Sequence, residues 1–244
     1  MTRLVRAELL KVWTTRLLLW LGLLILALEV LVIALHVAQD SLGSLAEPRN
    51  QRDIVSIAAI SALISLILGI VSSAGEFAHG TIGHTFLVAP VRERVAAAKL
   101  IAAALAGALL ALAACAFAWG FGALLLASRS VPVHLASWSA LRIVPGTVLA
   151  AAITGALGIG LGSILRRQTA AIVIALIWLL VGEPLLGIGN VQRYGPGHAV
   201  ASVVEARAQS SDLLAFWAGL AVALVYAAAF AATGAALVKG SDVT

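Results

Sequence analysis

Apolar residues run along this chain in long unbroken stretches, and polar residues collect at the few boundaries between them. The first sixteen residues follow a different rhythm: Val5, Leu9, Val12 and Trp13 recur at helical spacing, with Arg3, Arg6 and Lys11 away from that stripe. This pattern predicts a helix lying in a membrane interface, its basic residues near anionic headgroups. A basic tail that only sets topology is the alternative. From residue 17 on, runs of the roughly 20 residues needed to cross a bilayer predict six spans at about 17–36, 54–74, 97–127, 141–165, 169–187 and 213–238. The first run is too long for the apolar region of a signal peptide and has no convincing small-residue cleavage site, so it reads as a retained span.

Composition agrees with the pattern. Of 244 residues, 62% are hydrophobic and 11% charged, with a mean hydropathy of +1.07, against roughly 45–50% and 25% in soluble domains. The expectation is an all-α integral membrane protein: a single transmembrane domain over 1–244, six transmembrane helices with an N-terminal interfacial helix at 1–16, and no separate soluble domain. The net charge of +5 does not point to nucleic acid, because the basic residues sit at the ends of apolar runs rather than on one solvated face. Arg3, Arg6, Lys11, Arg16, Arg92, Arg94, Lys99, Arg166, Arg167 and Lys239 fall on the N-terminal side of the spans. Arg49, Arg52, Arg129, Arg142, Arg193 and Arg207 fall on the other. The excess predicts both termini in the cytoplasm. The single cysteine, Cys115, excludes an intrachain disulfide.

Between spans two and three lies the longest mixed stretch, "GEFAHGTIGHTFLVAPVRERVAAAKL". Gly75, Gly80 and Gly83 lower helix propensity, and Pro90 suits the first turn of a helix running into the third span. The prediction is a short helix, a bend and a new helix, on the cytoplasmic side at 75–96. Phe77, Ile82, Phe86, Leu87 and Val88 would be poorly solvated on a free loop and call for a membrane surface or a protein groove. Three readings stand. Glu76 and His79, at i and i+3, could ligate a metal with His84 in a membrane-embedded hydrolase; the stretch could be a solvated connector; or it could dock on another protein.

The stretch resembles the first cytoplasmic loop of ABC-2 type permeases, the membrane subunits of ATP-driven exporters, in which E-[FY]-x-x-G-T-[IL]-x-x-x-[FL]-x-x-P-x-x-R-x-x-x-x-K recurs. Glu76, Phe77, Gly80, Thr81, Ile82, Phe86, Pro90, Arg92 or Arg94, and Lys99 follow that order, with Pro90 one residue and Lys99 two residues later than the pattern's spacing; many relatives carry Arg where this chain has Ala78 or His79. The resemblance implies a coupling helix that docks on an ABC ATPase subunit through Glu76, Phe77, His79, Gly80, Thr81, Phe86, Pro90, Arg92 and Arg94. It also implies a second permease subunit, as a homodimer or heterodimer, in a bacterial cytoplasmic membrane. The chain has no nucleotide site of its own, since Lys11, Lys99 and Lys239 follow Leu10, Ala98 and Val238 rather than the glycine of a phosphate-binding loop. It is therefore not expected to be an enzyme, and no cofactor is expected. A non-transporting immunity or scaffold protein would share the fold.

Two carboxylates fall inside apolar runs, where they are costly and suggest function. Glu29 reads either as a neutral, hydrogen-bonded acid or as a cavity-lining group. Glu183, followed by Pro184, reads either as part of a pathway for protons or substrate or as a cap for backbone groups that the proline frees. At 188–211 the sequence is too polar to span and too apolar for a plain loop. It resembles the R-Y-x-P-x-x-A segment of the same permeases, with Arg193, Tyr194, Pro196 and Ala199 matching, which implies a re-entrant outer gate. A glycine-rich outer loop is the alternative. Gly158 and Gly162 form a small-xxx-small pair for close helix packing.

Overall fold

The computed structural model describes residues 1–81, 91–135, 137–185, 191–205 and 213–240. Among these the architecture is all-helical. Helix α1 (Thr2–Thr14) leads to α2 (Leu17–Gln39). Next, α3 (Pro48–Ser56) passes through one 3₁₀ turn, Ile57–Ala59, into α4 (Ile60–Ala78). Then follow α5 (Arg92–Ser128), α6 (Ile143–Leu165) and α7 (Gln168–Ile177). A π turn at Trp178–Gly182 and a last turn at Glu183–Leu185 extend α7. Helix α8 (Pro196–Glu205) and helix α9 (Phe216–Gly240) complete the fold. Six of these segments are long and apolar enough to cross a membrane: Leu17–Gln39, Pro48–Ala78, Arg92–Ser128, Ile143–Leu165, Gln168–Leu185 and Phe216–Leu237.

The spans are not equivalent. In the second, third and fourth, 61%, 44% and 56% of the most apolar window is buried, against 17% in the first, fifth and sixth, so the bundle has an inner trio and three peripheral helices. Helix α6 is the hub, and its glycines explain why. A Cβ on Gly158 would strike the Leu66 carbonyl and the Gly69 Cα of α4; one on Gly155 would lie 2.7 Å from the Ala103 carbonyl of α5; one on Gly160 would lie 2.6 Å from the Phe230 carbonyl carbon of α9. Lipid tails are as apolar as leucine, so helices associate in a membrane by close backbone approach and interhelical hydrogen bonds rather than by hydrophobic drive. Thr154 Oγ1 accordingly donates to the Ala62 carbonyl at 2.7 Å, and the Ser73 and Ser163 hydroxyls meet at 2.7 Å.

Local sequence explains the ends. The second span starts at Pro48, six residues before the apolar run, because proline fits the first helical turn, where its missing N–H is not needed. The π turn precedes Pro184, whose ring displaces the regular i to i−4 bonding one turn upstream. On α1, Val12 is buried and Val5 and Leu9 half-buried, whereas Trp13 and Leu10 are 60% and 62% exposed. The stripe that faces the bundle therefore excludes Trp13, the fourth member expected from its spacing.

Candidate functional site

Four charged side chains converge where α1, the end of α4 and the start of α5 meet. Glu76 closes the last turns of α4, Lys99 lies two turns into α5, and Glu8 and Lys11 project from one face of α1. Lys99 Nζ donates to Glu76 Oε1 at 2.5 Å and to Glu8 Oε2 at 2.9 Å; Lys11 Nζ donates to Glu8 Oε1 at 2.8 Å and to Glu76 Oε1 at 3.0 Å. The side chains of Lys99, Glu8 and Glu76 are 8%, 12% and 12% exposed, and Lys11 forms the wetter edge at 44%. Two positive and two negative charges cancel, which is how a buried charge set is tolerated. Burial works to raise the Glu8 carboxyl, but the Lys99 ammonium, helped by Lys11, holds it below its ordinary value. For Lys11, burial works downward and the Glu8 and Glu76 carboxylates prevail, holding the ammonium above its ordinary value.

The residues that follow Glu76 end the helix. Gly80 adopts a left-handed conformation (φ +67°), its N–H donates to the Phe77 carbonyl at 3.3 Å, and the Thr81 N–H reaches back to the Glu76 carbonyl at 3.0 Å. This is a Schellman cap, and glycine fills its left-handed position without steric penalty. His79, Gly80 and Thr81 are exposed. Phe77 is half-buried and lies under the Arg166 guanidinium, 5.3 Å from ring centroid to Cζ, while Arg166 also donates to the Leu237 carbonyl at 2.9 Å. Arg92 lines a small cleft with Phe77, Lys99 and Ser163, and Arg94 is exposed on the first turn of α5. Ile82, His84, Phe86, Leu87, Val88 and Pro90 lie outside the described residues, so the 75–96 segment is described only at its two stems.

Sequence reasoning missed Glu8 and read Lys11 as a headgroup contact and a topology signal, not as part of an ion-paired cluster. A helical wheel already places Glu8 with Val5, Leu9 and Val12, a carboxylate on the inward face that asks for a partner. No three His, Cys, Asp or Glu side chains gather into a metal-binding group among the described residues; Glu76 Oε1 accepts from two ammonium groups, and its Oε2 is buried with no hydrogen-bond partner among the described residues.

At the opposite end of the bundle, Glu183 is 2% exposed and caps α8. Its carboxylate accepts the Gly197 N–H at 2.5 Å and the His198 N–H at 3.1 Å, and lies 2.9 Å from His198 Nδ1. A carboxylate facing the first N–H groups of a helix satisfies donors that have no intrahelical partner and complements the helix dipole. Gly195 and Gly197 make room for it, since a Cβ at either would fall within 2.8 Å of the carboxyl group. Pro196 opens α8; Arg193 and Tyr194 sit in the preceding 3₁₀ turn, Tyr194 at 54% exposure. Helix α8 in turn packs on Gly146 of α6 and Gly219 of α9. Glu29 is fully buried in α2, with neither carboxylate oxygen hydrogen-bonded among the described residues.

Between these two polar ends lies an open cavity of about 570 Å³, walled by α3, α4, α6, α7, α8 and α9. A helical, multi-pass membrane protein with an ion-paired cluster at one end, a capped short helix at the other and an apolar cavity between them is the class that this fold defines. No family model matches the chain, and no curated protein sequence matches it.

Proposed function

We propose that the chain is the membrane-spanning permease subunit of an ATP-binding cassette exporter. It pairs with a second permease subunit, is driven by separate ATPase subunits, and resides in a bacterial cytoplasmic membrane with both termini and the 75–96 segment in the cytoplasm. The observation that carries this reading is the cluster of Glu8, Lys11, Glu76 and Lys99. Glu76 and Lys99 flank the segment between Thr81 and Val91, and their contact, braced by α1, makes the two stems one unit. A push on that segment by a partner then reaches α4 and α5 together, as a rigid-body shift requires. Exposed His79, Thr81 and Arg94 and the apolar Phe86 supply the polar rim and apolar anchor from which small interfaces draw their energy.

The glycine-rich contacts of α6 with α4 and α5 extend the same unit into the membrane, and α8, held by Glu183, closes the far end as the gate in this reading. The test is isolation of the chain from membranes in mild detergent. A nucleotide-hydrolysing subunit is expected to co-purify, and Phe86→Ala with Arg94→Ala to weaken that association without lowering the melting temperature of the permease. Isolation of the chain with no ATPase bound, under conditions that keep it folded, would rule the reading out.

A further inference from the structure

Among the described residues that line the open cavity there is no Asp, Glu, Lys, Arg or His. Its 570 Å³ falls within the roughly 300–1,000 Å³ of small-molecule sites. The cavity is open to its surroundings, so what lies outside it can enter. Water gains little there, because the hydroxyl of Thr154 already donates to Ala62 and most of the wall is hydrocarbon. Something apolar belongs in it.

Depth narrows the choice. Along the second span the lining runs from Ser56 to Leu66, about 15 Å of helix, or about half of a hydrocarbon core of roughly 30 Å. At the α8 end the lining includes Pro196 and Gly197, next to the Glu183 cap, and along α6 and α9 it reaches Leu161 and Phe230. One side is bounded by α7, a helix largely unburied by the rest of the chain and so flanked by lipid. An uncharged slot bordered by a lipid-facing helix matches the tail of a membrane lipid in size and charge.

We propose that this cavity is a lipid-tail site, taking an acyl chain of a glycerophospholipid from the leaflet on the α8 side, with the headgroup at the α8 surface. The proposal does not rest on the ATPase reading, and its test contains no ATPase, so the two can fail separately.

The test uses the full chain reconstituted in vesicles of phosphatidylethanolamine and phosphatidylglycerol, re-extracted in mild detergent and weighed by native mass spectrometry. The wild type, and Leu224→Phe on a lipid-facing position outside the cavity, are expected to retain a phospholipid adduct. Ala59→Phe and Ala201→Phe, which fill the slot from half-buried lining positions, are expected to lose it while melting like the wild type. Added oleic acid is expected to displace the adduct from the wild type, a measurement that stands even if a variant misfolds. The proposal is overturned if the wild type retains no phospholipid, if both filled variants retain as much as the wild type, if oleic acid displaces none, or if Ala201→Cys cross-links to a second copy of the chain through this surface.

Discussion

Lys99 Nζ lies 2.5 Å from Glu76 Oε1 and joins the two helices on either side of the 82–90 segment. Removing the lysine leaves Glu76 and Glu8 buried with only the half-exposed Lys11 to balance them. Lys99→Met is therefore expected to destabilise the protein by about 3–5 kcal/mol, the range for breaking a buried pair by deleting one partner. Replacing the set together, as Glu8→Leu, Glu76→Leu, Lys11→Met and Lys99→Met, is expected to be much less harmful, because no charge is then stranded. Thermal melting in one detergent compares the two; equal losses would mean that the cluster is not a coupled unit.

The same cluster sets a pH window. Glu8 is held below its ordinary value of 4.5, so it contributes stability above that value and loses it as pH falls through the lowered one. Lys11 is held above 10.5, so its contribution is complete below that value and fades as pH rises through the raised one. Melting temperature is expected to be flat between these limits and to fall outside them, and Glu8→Gln is expected to reduce the acid-side loss.

Two glycines in adjacent spans should respond in opposite ways. At Gly158 an added Cβ strikes the Leu66 backbone, and Gly158→Ala is expected to separate α6 from α4 and to reduce the yield of folded protein sharply. At Gly75 nothing lies within 4 Å of an added Cβ, and Gly75→Ala is expected to be neutral or to stabilise by up to about 1 kcal/mol through helix propensity. Size-exclusion profiles and melting curves read both.

Glu183 holds α8 against the end of α7. Glu183→Ala is expected to cost about 1–2 kcal/mol, as loss of a helix cap does, and to speed hydrogen exchange at the backbone amides of Gly197 and His198. Unchanged exchange at these two amides would show that α8 is held by its packing on Gly146 and Gly219 alone.

Gln51 performs a comparable task at the same end: its amide donates to the Leu45 and Pro132 carbonyls at 2.9 and 2.7 Å, and its oxygen accepts the His134 N–H at 2.6 Å. Gln51→Leu strands all three groups, two carbonyls and one N–H, and is expected to lower stability by about 1–3 kcal/mol or more, read by denaturation in detergent.

Spacing along the chain separates what was legible from what was not. Six spans could be read because hydropathy is a running property of neighbouring residues, and a bilayer imposes nearly the same length on each of them. The α6 glycines were legible as a packing signal, although not which neighbour each one touches. The Gly80 cap is local and could have been read from a glycine placed just past an apolar helix. The partner of Glu8 was not legible: Lys99 is 91 residues away, and only the folding of α1 under the bundle brings the two together. The role of Glu183 as a cap for α8 was not legible, because Gly197 and His198 follow a turn and lie beyond the end of the span.

By itself, then, the sequence determined that this protein is a bundle of membrane helices with a short amphipathic helix ahead of the first and a charged segment after the second, because burial of backbone polar groups in lipid leaves few alternatives. Tertiary structure alone decided that α6 is the hub, that four charges neutralise one another at the base of α4 and α5, and that an apolar cavity lies beside α7. Those depend on which helix faces meet, and that is settled by close approach at individual glycines and by pairing of charges distant in the chain, quantities that no running average along the sequence contains.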